Sequence, residues 1–186
     1  MAKVHGARHD GKITPMDSMS KAKLRERLLS KRPHSSLGLA ERLSELAESL
    51  RPKTLASFQP LGKEPQIQEF NSAIETSLRL VFPRVSGDSL VFAGGELVTG
   101  QLGMSEPTGE AVAEVDLILL PALAVDLLGN RLGRGRGFYD RALSDFPRIP
   151  KFAVVFDEEV LQELPTDPWD EKVNGVVTPK RIIKFD

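Results

Sequence analysis

From Val115 to Val125 the chain reads VDLILLPALAV, with apolar residues on consecutive positions rather than alternate ones. A strand of that composition is covered on both faces, and strands covered on both faces belong to parallel sheets flanked by helices. The neighbouring segments agree. TLASFQP and LRLVFPRV read as strands, and Ile67, Phe70, Ile74 and Leu78 between them form the buried stripe of a helix. SLVFAGGELV is expected to be a hairpin turning at Gly94 and Gly95, and KFAVVFD and NGVVTPK are two further short strands. Two amphipathic helices come first. Ser20 caps one that carries Leu24, Leu28 and Leu29, and the other runs from about Ser36 to Leu50, before Pro52. This order predicts a three-layer open α/β domain of Rossmann-like type, with a mainly parallel sheet and helices on both faces.

The chain has 186 residues, 40% of them hydrophobic, which suffices for one ordinary core, placed here over residues 20–186. Residues 1–19 lack any period and read as a disordered leader, so His5, His9 and Asp10 are expected to be solvated rather than metal-binding. A formal charge of −1 argues against a nucleic-acid or membrane partner for the whole chain. Without cysteine there is no thiolate nucleophile and no disulfide, as in a cytoplasmic protein. The longest apolar run is about half of what a bilayer requires. A soluble, cytoplasmic monomer is the expectation.

The strand ending near Val125 should leave the sheet at its carboxyl end, where ligands of open α/β sheets bind. There stands RLGRGRGFYDRAL, Arg131 to Leu143. Gly133, Gly135 and Gly137 lack a Cβ and can turn successive amides toward anionic oxygens. Arg131, Arg134 and Arg136 add charge-assisted hydrogen bonds, and a helix from Phe138 adds a partial positive charge at its start. The spacing is neither the dinucleotide fingerprint nor a Walker loop. A structural glycine turn, or a single RGG-like element of an RNA-binding module, fits the same letters.

LPALAVDLLGNRLGRGRGFYDRAL resembles the signature of the 5-formyltetrahydrofolate cyclo-ligase family, also called 5,10-methenyltetrahydrofolate synthetases. SKAKLRERL, SFQPLGKEP, GQLGMSEP and LPTDPWDEKVNGVVTP resemble further family segments in family order, covering about residues 20–183. The resemblance implies ATP-dependent cyclisation of 5-formyltetrahydrofolate to 5,10-methenyltetrahydrofolate with release of ADP and phosphate. Both nucleophiles, the formyl oxygen and the folate N10, then belong to the substrate, and the protein supplies positioning and charge.

Carried over residue by residue, the resemblance puts Lys21, Arg25 and the loop Arg131, Gly133, Arg134, Gly135, Arg136, Gly137, Phe138 and Tyr139 on ATP. Arg136 and Tyr139 are the expected catalytic groups, with Arg136 standing where many relatives have lysine. Gln59, Glu64 and Tyr139 are placed on the folate, although Glu64 beside Pro65 reads equally as an exposed turn residue. Asp140 and Asp170 are placed on Mg²⁺, where two carboxylates plus phosphate oxygens suffice. Without the resemblance, Asp140 is a helix-start acid and Asp170 a solvated loop acid. Trp169, the single tryptophan, borders the site or packs on the surface. Gln66, Asn174 and Pro179 depart from the family pattern. A noncatalytic, nucleotide-binding regulator on the same scaffold is the competing reading.

Overall fold

The computed structural model describes residues 20–100 and 103–185. The expected leader, with His5, His9 and Asp10, lies outside the described residues. Two helices, α1 (Lys21–Lys31) and α2 (Leu39–Leu50), precede strand β1 (Thr54–Ala56) and helix α3 (Gln68–Ile74). Strands β2 (Arg79–Ser86), β3 (Ser89–Ala93), β4 (Leu97–Thr99), β5 (Ser105–Pro107), β6 (Leu117–Pro121), β7 (Ala124–Asp126) and β8 (Arg131–Leu132) follow. Helix α4 (Phe138–Leu143) then leads to β9 (Lys151–Val154), β10 (Val160–Leu161), β11 (Gly175–Val177) and β12 (Ile182–Lys184). Ser20 caps α1 as its side chain predicts, its hydroxyl accepting from the Lys23 amide.

Seven strands form one sheet in the order β12-β11-β9-β6-β1-β2-β3. The pairs from β11 through β9, β6 and β1 to β2 are parallel, and β12 and β3 close the two edges in antiparallel fashion. The α/β architecture with a mainly parallel sheet is thus as expected. Within β6 the consecutive apolar residues divide between two cores. Leu117 and Leu119 pack under α2 and α3 with Leu39, Leu43 and Phe70, whereas Ile118 and Leu120 share the other face with Leu143 of α4 and Phe92. That division is why the run does not alternate.

Two expectations need correction. VDLILLPALAV is not one strand: β6 ends at Pro121, and Ala124–Asp126 turns away into a separate sheet ordered β10-β7-β8. Proline has no amide to extend the ladder, and the next turn of chain pairs instead through the Leu123 amide, which donates to the Leu132 carbonyl. The hairpin likewise turns elsewhere. Strands β2 and β3 pair from Phe82–Ala93 to Ser86–Ser89, so the two-residue turn is Gly87-Asp88, with Gly87 at φ +62°. Gly94 and Gly95 instead lie flat against Gly109, whose amide donates to the Gly94 carbonyl at 2.9 Å; a Cβ on Gly109 would stand 2.5 Å from that oxygen.

Candidate active site

In chain order β1 leads to β2 on one side of the sheet, while β6 leads to β9 on the other. The crevice outside the carboxyl ends of β1 and β6 is therefore the topological switch point, where open α/β sheets bind ligands. Phe58 and Gln59 follow β1, Pro121 and Ala122 close β6, and together they line a cavity of about 290 Å³. Every site residue expected from the sequence borders this cavity, from Lys21 and Arg25 on α1 to Asp170 near the carboxyl end.

The glycine loop closes one wall. Gly135 has φ +95°, a conformation side chains resist, and a Cβ there would stand 3.2 Å from the Arg25 guanidinium carbon. Gly137, at φ +69°, turns the chain into α4. The loop is tied at both ends: Arg25 Nε donates to the Gly133 carbonyl at 2.8 Å, and Arg141 Nη2 donates to the Arg136 carbonyl at 2.9 Å. Helix α4 has six residues, ending at Leu143 before Phe146, so its dipole adds less than a long helix would.

The cations of the site differ in what holds them. Lys21 donates to Asp167 Oδ2 at 2.7 Å and also to Asp170. Burial pulls the Lys21 ammonium pKa down, but these two carboxylates outweigh it and leave the pKa raised. Arg131 is buried, pairs with Asp140 Oδ1 at 2.6 Å and lies over the Tyr139 ring. Arg134 Nε donates to Glu64 Oε1 at 2.8 Å, and its Nη2 to the Leu61 carbonyl at 3.0 Å. Arg136 is exposed, and its side chain makes no hydrogen bond or ion pair among the described residues.

Glu64 is not an exposed turn residue; only 4% of it is accessible, and the Leu61 amide donates to its second oxygen at 2.8 Å. Burial pushes the Tyr139 hydroxyl pKa well above its ordinary value, with the nearby Glu64 charge adding to the rise and Arg131 opposing it. The phenol therefore stays protonated, a donor rather than a base. Phe58, Leu61, Pro83, Leu90, Met104 and Leu132 make the rest of the wall apolar. Pro83 and Leu90 belong to the hairpin whose turn the sequence puts at Gly94 and Gly95, and Asp167 is the acid of TDPWD that the family resemblance does not assign.

Asp140 and Asp170 also border a second, outer groove that continues from the cavity past Trp169. Their described bonds fall on Oδ1 of Asp140 and Oδ2 of Asp170, leaving one oxygen of each for a cation. Among the described residues no three metal-type side chains cluster. Two carboxylates without histidine or thiolate suit Mg²⁺ that takes its other ligands from phosphate and water.

Two of the departures from the family pattern, Asn174 and Gln66, have hydrogen-bond partners. Asn174 Oδ1 accepts from the Lys151 amide at 2.9 Å, and Gln66 Nε2 donates to the Glu64 carbonyl at 2.7 Å. The Thr178 hydroxyl, just before Pro179, accepts from the Lys180 and Arg181 amides.

A crevice at the switch point, walled by an arginine-studded glycine loop, has the form of an α/β enzyme whose ligand sits outside the carboxyl ends of the strands. The chain belongs to the 5-formyltetrahydrofolate cyclo-ligase family, whose model matches residues 17–179. A 5-formyltetrahydrofolate cyclo-ligase of Mycolicibacterium smegmatis is 37% identical over 191 residues, covering 89% of this chain and 97% of the relative. That of Escherichia coli K12 is 29% identical over 133 residues, covering 66% and 73%. Among solved structures, the 5,10-methenyltetrahydrofolate synthetase of Aquifex aeolicus superposes with a TM-score of 0.77 at 31% identity, covering 89% of this chain and 93% of that one. The synthetase of Mycoplasma pneumoniae, at 23% identity, shares the fold with a TM-score of 0.71 over 87% of this chain and 99% of that one.

Proposed function

We propose that the chain cyclises 5-formyltetrahydrofolate to 5,10-methenyltetrahydrofolate at the expense of ATP, with Mg²⁺, in the cavity between α1 and the glycine loop. Family membership makes it a ligase of folate chemistry. The observation that carries the residue assignment is the meeting of all the expected site residues on one cavity at the switch point.

In this reading the apolar wall of Phe58, Leu61, Leu90 and Met104 receives the reduced folate, and buried Glu64 accepts from the adjacent N–H donors of the pterin. Arg134 holds the Glu64 carboxylate in place beforehand. Tyr139, kept neutral, donates its proton toward the formyl group. The amides and Arg136 of the glycine loop neutralise the charge that builds on the transferring phosphoryl oxygens. ATP supplies the phosphoryl group that turns the formamide oxygen into a leaving group. Asp140 and Asp170 are the residues that would hold Mg²⁺, which offsets phosphate charge when bound. No membrane-crossing helix occurs among the described residues; a cytoplasmic monomer completes the proposal.

The deciding measurement is the rise in methenyltetrahydrofolate absorbance when purified protein meets 5-formyltetrahydrofolate, ATP and Mg²⁺. Binding of Mg²⁺ and ATP without that rise would favour the noncatalytic scaffold. Asp140→Asn is expected to lower turnover about tenfold and to raise the magnesium concentration needed for half-maximal rate. Full activity of a folded variant in limiting magnesium would remove Asp140 from the metal site.

A further inference from the structure

A single exposed tryptophan ordinarily needs no explanation. Trp169, 71% exposed, is set apart by its mounting and its surroundings. It sits in a turn that Asp167 and Asp170 close upon themselves: the Asp170 amide donates to the Asp167 carbonyl at 3.1 Å, and the Asp167 amide to Asp170 Oδ2 at 2.7 Å. Lys21 then clamps both carboxylates to the first turn of α1. The backbone that carries the indole is thus held at a fixed place on the rim, with most of the side chain in water.

The inner cavity and the outer groove share a floor. Lys21, Arg25, Arg136, Asp140, Asp170 and the Gly135–Gly137 turn border both. Phosphoryl transfer to the formyl oxygen requires folate and terminal phosphate to touch, so the two substrates meet on that shared floor. The apolar inner lobe is taken by the folate. The remainder of the nucleotide, its ribose and base, must then run outward along the groove. A purine exposes two flat π faces, and proteins hold such faces against aromatic rings or guanidinium planes. The outer groove offers one aromatic side chain, Trp169. Of the three guanidinium groups there, Arg25 is bonded to the Gly133 carbonyl, Arg136 is placed on the phosphates, and Arg141 lies 5.7 Å over the Phe138 ring and is bonded to the Arg136 carbonyl.

We infer that Trp169 is the stacking platform for the nucleotide base, an inference that rests on the placement of the ATP phosphates on the glycine loop. The same residue reports on its own role, because it is the only tryptophan in the chain. In the folate-free protein, ATP with Mg²⁺ should quench its fluorescence, whereas inorganic tripolyphosphate with Mg²⁺ should bind, as read by calorimetry, without that change. Trp169→Ala should weaken ATP about tenfold, toward the lower end of what losing one base–aromatic stack costs, and leave tripolyphosphate affinity unchanged. Trp169→Phe should retain most of the ATP affinity. Unaltered ATP affinity in Trp169→Ala would overturn the inference. So would an equal loss for ATP and tripolyphosphate, which would make the indole a prop for the Asp167–Asp170 turn. If neither probe binds the unmodified protein, the placement of phosphates on the glycine loop falls, and the platform with it.

Discussion

Arg136→Ala is expected to lower turnover about a hundredfold at saturating ATP and 5-formyltetrahydrofolate, the scale of losing one strong electrostatic stabiliser. Every other cation on the cavity is already answered: Lys21 by Asp167 and Asp170, Arg131 by Asp140, Arg134 by Glu64, Arg25 by the Gly133 carbonyl. Arg136 alone of this set has no such tie among the described residues, so its charge is not committed before substrates arrive. A cation carried between two turn-forming glycines can act most strongly when charge moves onto the phosphoryl oxygens, which affects turnover more than binding. Arg136→Lys should recover much of the rate. Thermal stability should move little, because an exposed loop side chain carries none of the core. Near-normal turnover of Arg136→Ala would transfer the role to a cation that must first leave its partner.

The largest effect on stability is expected at a residue outside the cleft. Arg32, just past the end of α1, is buried and pairs with buried Glu159 at 2.8 Å, and its Nη2 donates to the Ala122 carbonyl at 2.6 Å. Arg32→Ala leaves the carboxylate without its cation, a change that costs about 3–5 kcal/mol in buried pairs. Burial already raises the Glu159 pKa, against the lowering by the Phe156 amide and by Arg32. Without Arg32 it rises further. A raised carboxyl pKa means that the folded state holds the proton more tightly than the unfolded chain does. The penalty is then complete above the folded-state pKa and vanishes below the unfolded-chain value. Urea unfolding of Arg32→Ala should therefore show its largest deficit at neutral pH, shrinking as pH falls from the folded-state carboxyl pKa toward the unfolded-chain value. The paired change Arg32→Met with Glu159→Gln should recover much of the loss. A deficit independent of pH would assign the cost to packing instead.

What could be read from the letters alone follows from which interactions are local. Consecutive apolar positions in Leu117–Leu120 announce a strand between two layers, and the structure divides them between two cores. The hairpin was misplaced because Gly87-Asp88 and Gly94-Gly95 are both competent turns. Only the pairing of Ser86 with Ser89 decides between them. Glycine spacing exposed the loop, since positive φ is a demand on a single residue. Charge pairing was hidden. Glu64 and Arg134 stand 70 residues apart and Lys21 and Asp170 stand 149 apart, so no spacing rule says which acid answers which cation. The break at Pro121 rests on a single missing amide inside an apolar run, a signal that hydrophobic periodicity does not carry.

The two large cores lie on the faces of the main sheet, but α1 and β8, which carry Lys21, Arg25 and the start of the glycine loop, rest on a third. That core has five buried members, Leu24, Leu123, Ala124, Leu132 and Leu164. Cooperative units with little buried surface open at lower free energy than the rest of a protein. The proposed working parts are thus mounted on the smallest of the three hydrophobic cores among the described residues. On gradual warming, the protein should fall silent while its main sheet still gives a native circular dichroism spectrum, and cooling from that point should restore the rate. Simultaneous loss of activity and spectrum would show that the small core melts with the large ones.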